Sequence, residues 1–254
     1  RRGSRMSYWI SWFVSNLLPW LTAGVFFGGL AYRIVDWWRG PRSAVSLTVP
    51  PRQRSVARTL GEILTEITTF RRVFRGSRGL WVVSWLFHLS ILVFVLGHLR
   101  LFFDFSWLWD LLRLTPEQVD LLAFIGGGTS GTIFMLGLVA LFIRRLRMPV
   151  RSLSVPSDYF LLLLLLSIAI TGNYMRFLMQ IDLDPYRAFF SNLFKLQFGV
   201  PVQNPMFILH FLLVQVLLIY FPFSKLVHVI GGILTLKWTL RLNVPDRNGE
   251  RSLA

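Results

Sequence analysis

The sequence predicts an all-α membrane protein, a single bundle of five transmembrane helices. Three observations carry that expectation. Hydrophobic residues make up 54% of the 254-residue chain. They gather in five runs of about twenty, the length a helix needs to cross a hydrocarbon core of ~30 Å. The charged residues fall between those runs, and a helix is the only open-chain structure that satisfies its own backbone in lipid.

The runs, in order, are Ile10 to Tyr32, Leu80 to Phe103, Leu121 to Ile143, Asp158 to Leu178, and Met206 to about Leu234, whose end the pattern leaves open. The first follows Arg1, Arg2 and Arg5 and so has the basic start of a signal peptide. It is too long for the apolar region of a signal and has no A-x-A-like cleavage site, so it is read as a retained span. Between the first two runs, residues 53–75 carry Val56, Leu60, Ile63, Leu64, Ile67 and Phe70 at helical spacing with arginines at both ends. That pattern predicts an amphipathic helix lying on the cytoplasmic surface, the alternative being a solvated linker. Two outer stretches, WLWDLLRLTPEQVD and residues 180–204, have enough apolar residues to lie in the interface. No internal repeat is visible, so residues 1–254 read as one membrane domain, and a secondary transporter built on inverted repeats is disfavoured.

The formal charge of +15 sits in short segments flanking the runs rather than in a folded basic domain. It reads as a topology signal and as contact with anionic lipid, not as nucleic-acid binding. Ten lysines and arginines in 33–78, four in 144–151 and five from Lys225 onward share one side, nineteen against eight on the other. Positive charge stays inside, which puts the N-terminus outside, the C-terminus in the cytoplasm and the protein in the inner membrane. The chain has no cysteine. Iron–sulfur clusters, disulfides and covalently attached c-type haem are therefore excluded within it.

The chemistry lies in the histidines. There are four, His88 and His98 in run two and His210 and His228 in run five, with none in a loop. An imidazole inside a span is expected to be paired or functional. Runs two and five are antiparallel, so the early histidine of one shares its depth with the late histidine of the other. Ten residues rise ~15 Å and eighteen ~27 Å. His98 then meets His210 near the outer face and His88 meets His228 near the cytoplasmic face, two sites roughly 20 Å apart. Two facing imidazoles form the ligand set of a six-coordinate b-type haem, so the bundle is expected to enclose two haems b. Eighteen residues return to one helix face, whereas ten fall about 80° short of three turns, and Pro222 is placed to kink run five. Zinc or copper is the other metal reading, but the histidines split into pairs with no carboxylate or thiol to complete a tetrahedral site.

The segments FHLSILVFVLGHL and HFLLVQVLLIYFPFSKLVH, together with GGGTSG at Gly126 to Gly131, resemble the family of the respiratory nitrate reductase gamma subunit and its relative, the membrane cytochrome b of the sulfite-reduction-associated Dsr complex. The likeness runs from about Ile10 to Trp238, and SIAITGNYMRF looks more like the sulfur-metabolism branch. The resemblance implies electron transfer between membrane quinone and a cytoplasmic iron–sulfur partner subunit. Nitrate-reductase members place a lysine near the outer start of helix three in their quinol site, where this chain has Glu117, Gln118 and Asp120.

Several other residues are assigned here. Gly24-x-x-x-Gly28 and Gly127-x-x-x-Gly131 are expected to pack helices closely, the alternative for Gly126 to Gly131 being room for a flat macrocycle. Gly97, beside His98, is a candidate to admit a haem or quinone edge. Arg176 and Arg100 at the outer ends of runs four and two, and Arg144 and Arg145 at the inner end of run three, are candidates either for haem propionates or for snorkelling. The tryptophans near span ends (Trp9, Trp12, Trp37, Trp38, Trp107 and Trp109) read as an aromatic belt. The competing functional reading is a haem-free membrane anchor that docks a soluble catalytic subunit.

Overall fold

The computed structural model describes residues 2–39, 56–103, 105–198 and 202–232. Among these there is no β-strand, and five helices are long and apolar enough to cross a membrane: Ser7–Arg39, Arg78–Leu101, Pro116–Leu146, Pro156–Met179 and Pro205–Phe223. They are the five expected spans, called here spans one to five. Each of spans two to five starts one to five residues before its apolar run, because the helix begins at its cap rather than at its first buried residue. Thr115 and Gln118 form a reciprocal capping box with Pro116 in the first turn of span three. Asn204 accepts from the backbone N–H groups of Met206 and Phe207 at the start of span five.

Span five departs most from expectation. Its α-helix ends at Tyr220, a 3-10 turn covers Phe221–Phe223, and a second covers Lys225–Val227. Pro222 has no N–H to give the preceding turn, and Ser224 lies extended, so the helix is interrupted over 221–227 and resumes at His228. His228 lies beyond that break, and the same-face argument that linked it to His210 does not apply. The end expected near Leu234 falls outside the described residues, as do residues 53–55 of the surface segment.

Packing follows the order two, three, four, five, one. Phe134 and Leu138 of span three and Ala169 of span four form one core, in which Phe87 of span two stacks on Phe134 and Phe94 meets it edge-on, each at 5.0 Å. A second core joins Val14, Met175, Phe207 and Ile208 to Tyr186 and Phe190 of a short helix between spans four and five, Asp184–Phe194. That helix is thus keyed into the bundle by two buried aromatics rather than merely resting in the interface. Spans two and five do not pack extensively on one another among the described residues.

Polar side chains inside the bundle are tied to irregular backbone. Span one carries a π-turn at Phe13–Leu17, and the buried Gln215 of span five donates from Nε2 to the Val14 carbonyl at 3.1 Å. The surface segment forms a helix at Val56–Thr69 whose last carbonyls are capped from span two: the Trp81 and Trp85 indoles donate to Thr69 O at 2.6 Å and to Thr68 O at 2.9 Å. The glycine patterns separate. Gly127, Gly128 and Gly131 are filled by Arg176, Phe177 and Asn173 of span four, so they serve helix packing and not a macrocycle beside spans two and five. Gly24 and Gly28, expected to pack a neighbour, face nothing within 4 Å, whereas Gly29 lies against Pro222.

Candidate functional site

One of the two pairs that depth predicts is in direct contact. The His88 and His228 rings have centroids 6.3 Å apart and nearly perpendicular planes, at 85°. Among the described residues no three His, Cys, Asp or Glu side chains come together.

Each ring is held by one nitrogen. The Nδ1 atoms of His88, His98 and His228 lie 2.7 Å from the carbonyl oxygens of Ser84, Phe94 and Lys225. A carbonyl only accepts, so each of these Nδ1 atoms carries the proton. His210 Nδ1 lies 2.8 Å from Thr171 Oγ1 of span four. That hydroxyl is within 2.9 Å of the Ser167 carbonyl and 3.0 Å of the Ile168 carbonyl, so its proton goes to the backbone and it accepts from the imidazole. In all four neutral rings the free lone pair is therefore on Nε2. A metal-binding histidine has this arrangement, with one nitrogen oriented by a hydrogen bond and the other left for the metal. An iron between two imidazoles separates their ring centres by roughly 6 Å, given metal–nitrogen bonds of about 2 Å. The inner pair fits that spacing.

The surroundings suit a flat apolar group. Gly97 faces open space, with nothing within 4 Å of where a Cβ would stand. Gly172 of span four makes room for His210, whose ring carbon would lie 3.2 Å from an added Cβ. Phe70, in a left-handed backbone conformation after the surface helix, packs edge-on against His88 with ring centroids at 4.9 Å. The arginines divide. Arg145 is consumed by Asp158 at 2.7 Å, and Arg100 pairs with Asp120 at 3.5 Å. Arg176 stacks over Phe124 at 5.2 Å, and its Nε is buried with no hydrogen-bond partner. Of the three acceptors near the start of span three, Gln118 is engaged in the cap and Asp120 in the Arg100 pair.

Thr171, Gly172, Phe70 and Asp158 were not singled out from sequence as neighbours of the histidines. Thr171 carried the clearest signal, a hydroxyl inside the apolar run of span four, the neighbour of span five. Replacing Thr171 by valine keeps the volume and removes the acceptor for His210 Nδ1–H. Loss of such an outer-shell partner typically costs 10–100-fold in metal affinity, roughly. The expected result is weaker haem retention at the outer pair alone, read by titrating the apoprotein with haemin.

Comparison with known proteins gives one consistent result. The sequence pattern of the nitrate reductase gamma subunit family matches residues 66–244. The "Hdr-like menaquinol oxidoreductase cytochrome b-like subunit" of Archaeoglobus fulgidus is 32% identical, over 92% of this chain and 80% of that protein. A protein of the same description from Archaeoglobus profundus is 28% identical, over 86% of this chain and 76% of its own length.

Proposed function

The chain belongs to the nitrate reductase gamma subunit family, and from that premise we propose that it is the diheme cytochrome b subunit of a membrane redox complex that exchanges electrons with quinone. The observation that carries this reading is the four Nδ1-anchored imidazoles, each with no hydrogen bond at Nε2, of which His88 and His228 are in ring contact across spans two and five. His98 and His210 would hold an outer haem b, and His88 and His228 an inner one. When bound, the two haems supply one-electron transfer between quinone on the outer side and a cytoplasmic iron–sulfur subunit on the inner side. The residues of the chain set ligation, depth and burial.

The buried, partnerless Nε–H of Arg176 is a donor for a propionate carboxylate at the outer end. The open space at Gly97 leaves room for the edge of a haem or a quinone beside His98. The Archaeoglobus relatives, described as menaquinol oxidoreductase subunits, make menaquinol the quinone to test first. The N-terminus is assigned to the outer side, and the basic cytoplasmic loops face anionic lipid.

A menaquinol analogue added to the purified, oxidised protein is expected to raise the α-band of reduced haem b. A single cysteine placed at Ser7 of this cysteine-free chain is expected to react with an impermeant maleimide from outside the cell. An oxidised spectrum that excess quinol leaves unchanged would remove the quinone assignment, and labelling only after lysis would invert the topology.

A further inference from the structure

His228 is the first residue of the helix that resumes after the irregular stretch 221–227, and irregular backbone at membrane depth persists only where other groups hold it. Two other spans do so. Arg33 of span one donates Nε–H to the Pro222 carbonyl at 3.0 Å. Asp158, in the first turn of span four, has one carboxylate oxygen 2.6 Å from Lys225 Nζ. Its other oxygen takes Arg145 Nη1 at 2.7 Å and the Val155 backbone N–H at 3.2 Å. Asp158 is 4% exposed, and Arg145 is itself braced by Ser154 at 3.2 Å.

Lys225 is thereby bound at both ends. Its ammonium is fixed to span four, and its backbone carbonyl receives His228 Nδ1–H at 2.7 Å. We propose that the Asp158–Lys225 ion pair is a positioning device for His228, setting the place of the inner imidazole from span four across the break in span five. This rests on the reading of His88 and His228 as the inner haem ligands. An exposed lysine pair alone contributes little to stability. Here Arg145 and the Val155 N–H hold one oxygen of the buried carboxylate and Lys225 holds the other, so the Lys225 contact ties the turn before His228 to a buried anchor on span four. No other side chain of the neighbouring spans reaches Lys225 among the described contacts.

The test is Lys225→Met in the full-length, haem-loaded protein, with Lys225→Arg as the conservative variant. Iron held by two imidazoles has no open position, so carbon monoxide reports a loosened ligand. The K225M protein is expected to keep both haems while about half of the ferrous haem becomes reactive to carbon monoxide, with a shifted midpoint potential for the inner haem only. Wild type and K225R should show neither change. Asp158→Asn, which keeps an oxygen for the Val155 N–H, is expected to behave like K225M. Haem content, carbon monoxide reactivity and potentials all unchanged in both K225M and D158N would overturn the proposal while leaving the diheme reading intact. A folded wild-type protein without haem would overturn that reading first, and this one with it.

Discussion

Alanine at His228 or His88 is expected to remove one haem per chain and leave the other, and alanine at His98 or His210 to remove the one that remained. The expectation follows from the pairing. The His88 and His228 rings are in edge contact at 6.3 Å, and depth along spans two and five pairs His98 with His210. Removing one of two axial ligands costs far more than the roughly 10–100-fold of an outer-shell loss. Pyridine haemochrome content should therefore fall by about half in each variant, with one of two redox transitions lost. The pattern across the four variants is the sharper readout. H88A and H228A must lose the same transition, and H98A and H210A the other. If H88A shared its loss with H98A, the antiparallel pairing would be wrong even with the haem count right.

The second large effect is expected at a residue that touches no histidine. A Cβ added to Gly29 would stand 2.7 and 2.8 Å from the ring carbons of Pro222, and a proline ring cannot swing aside. Gly29→Val therefore pushes span one off the break in span five, the segment that Arg33 also holds through the Pro222 carbonyl. Overpacking of this kind costs about 1–3 kcal/mol. The variant should melt earlier in detergent and lose haem from the inner pair before the outer. Gly28→Val is the control. A Cβ there meets nothing within 4 Å, so its effect should stay within about 0.5 kcal/mol. Equal melting of the two variants would show that the contact between Gly29 and Pro222 does not hold the break.

Much of this was legible in the sequence because membrane depth is a one-dimensional coordinate. Run length gave the five spans, and counting residues along runs two and five put the histidines at matching depths without any knowledge of packing. What depth cannot give is azimuth. The GGGTSG stretch read as helix packing with cofactor space as the alternative, and the seating of Asn173 and Phe177 against Gly131 and Gly128 decides for packing on span four. The 210–228 spacing matched one helix face, yet the chain abandons the α-helix at Tyr220 and reaches the inner site by two tight turns. Pro222 signalled a disturbance there but not its form. Arg145 looked like a free cation at the inner end because Asp158, thirteen residues on, could not be seen to fold back on it. Arg176, whose Nε is buried without a hydrogen-bond partner, is set apart by burial, which a linear reading does not contain.

The central claim is that the two pairs of Nε2 atoms are the axial ligands of two haems. The direct measurement is a reduced-minus-oxidised spectrum with pyridine haemochrome quantification on the purified wild-type chain. The account predicts close to two b haems per chain, both low-spin and unreactive to carbon monoxide. A folded preparation with no Soret band would contradict it, and the four imidazoles would then be interhelical hydrogen-bonding groups of a membrane anchor.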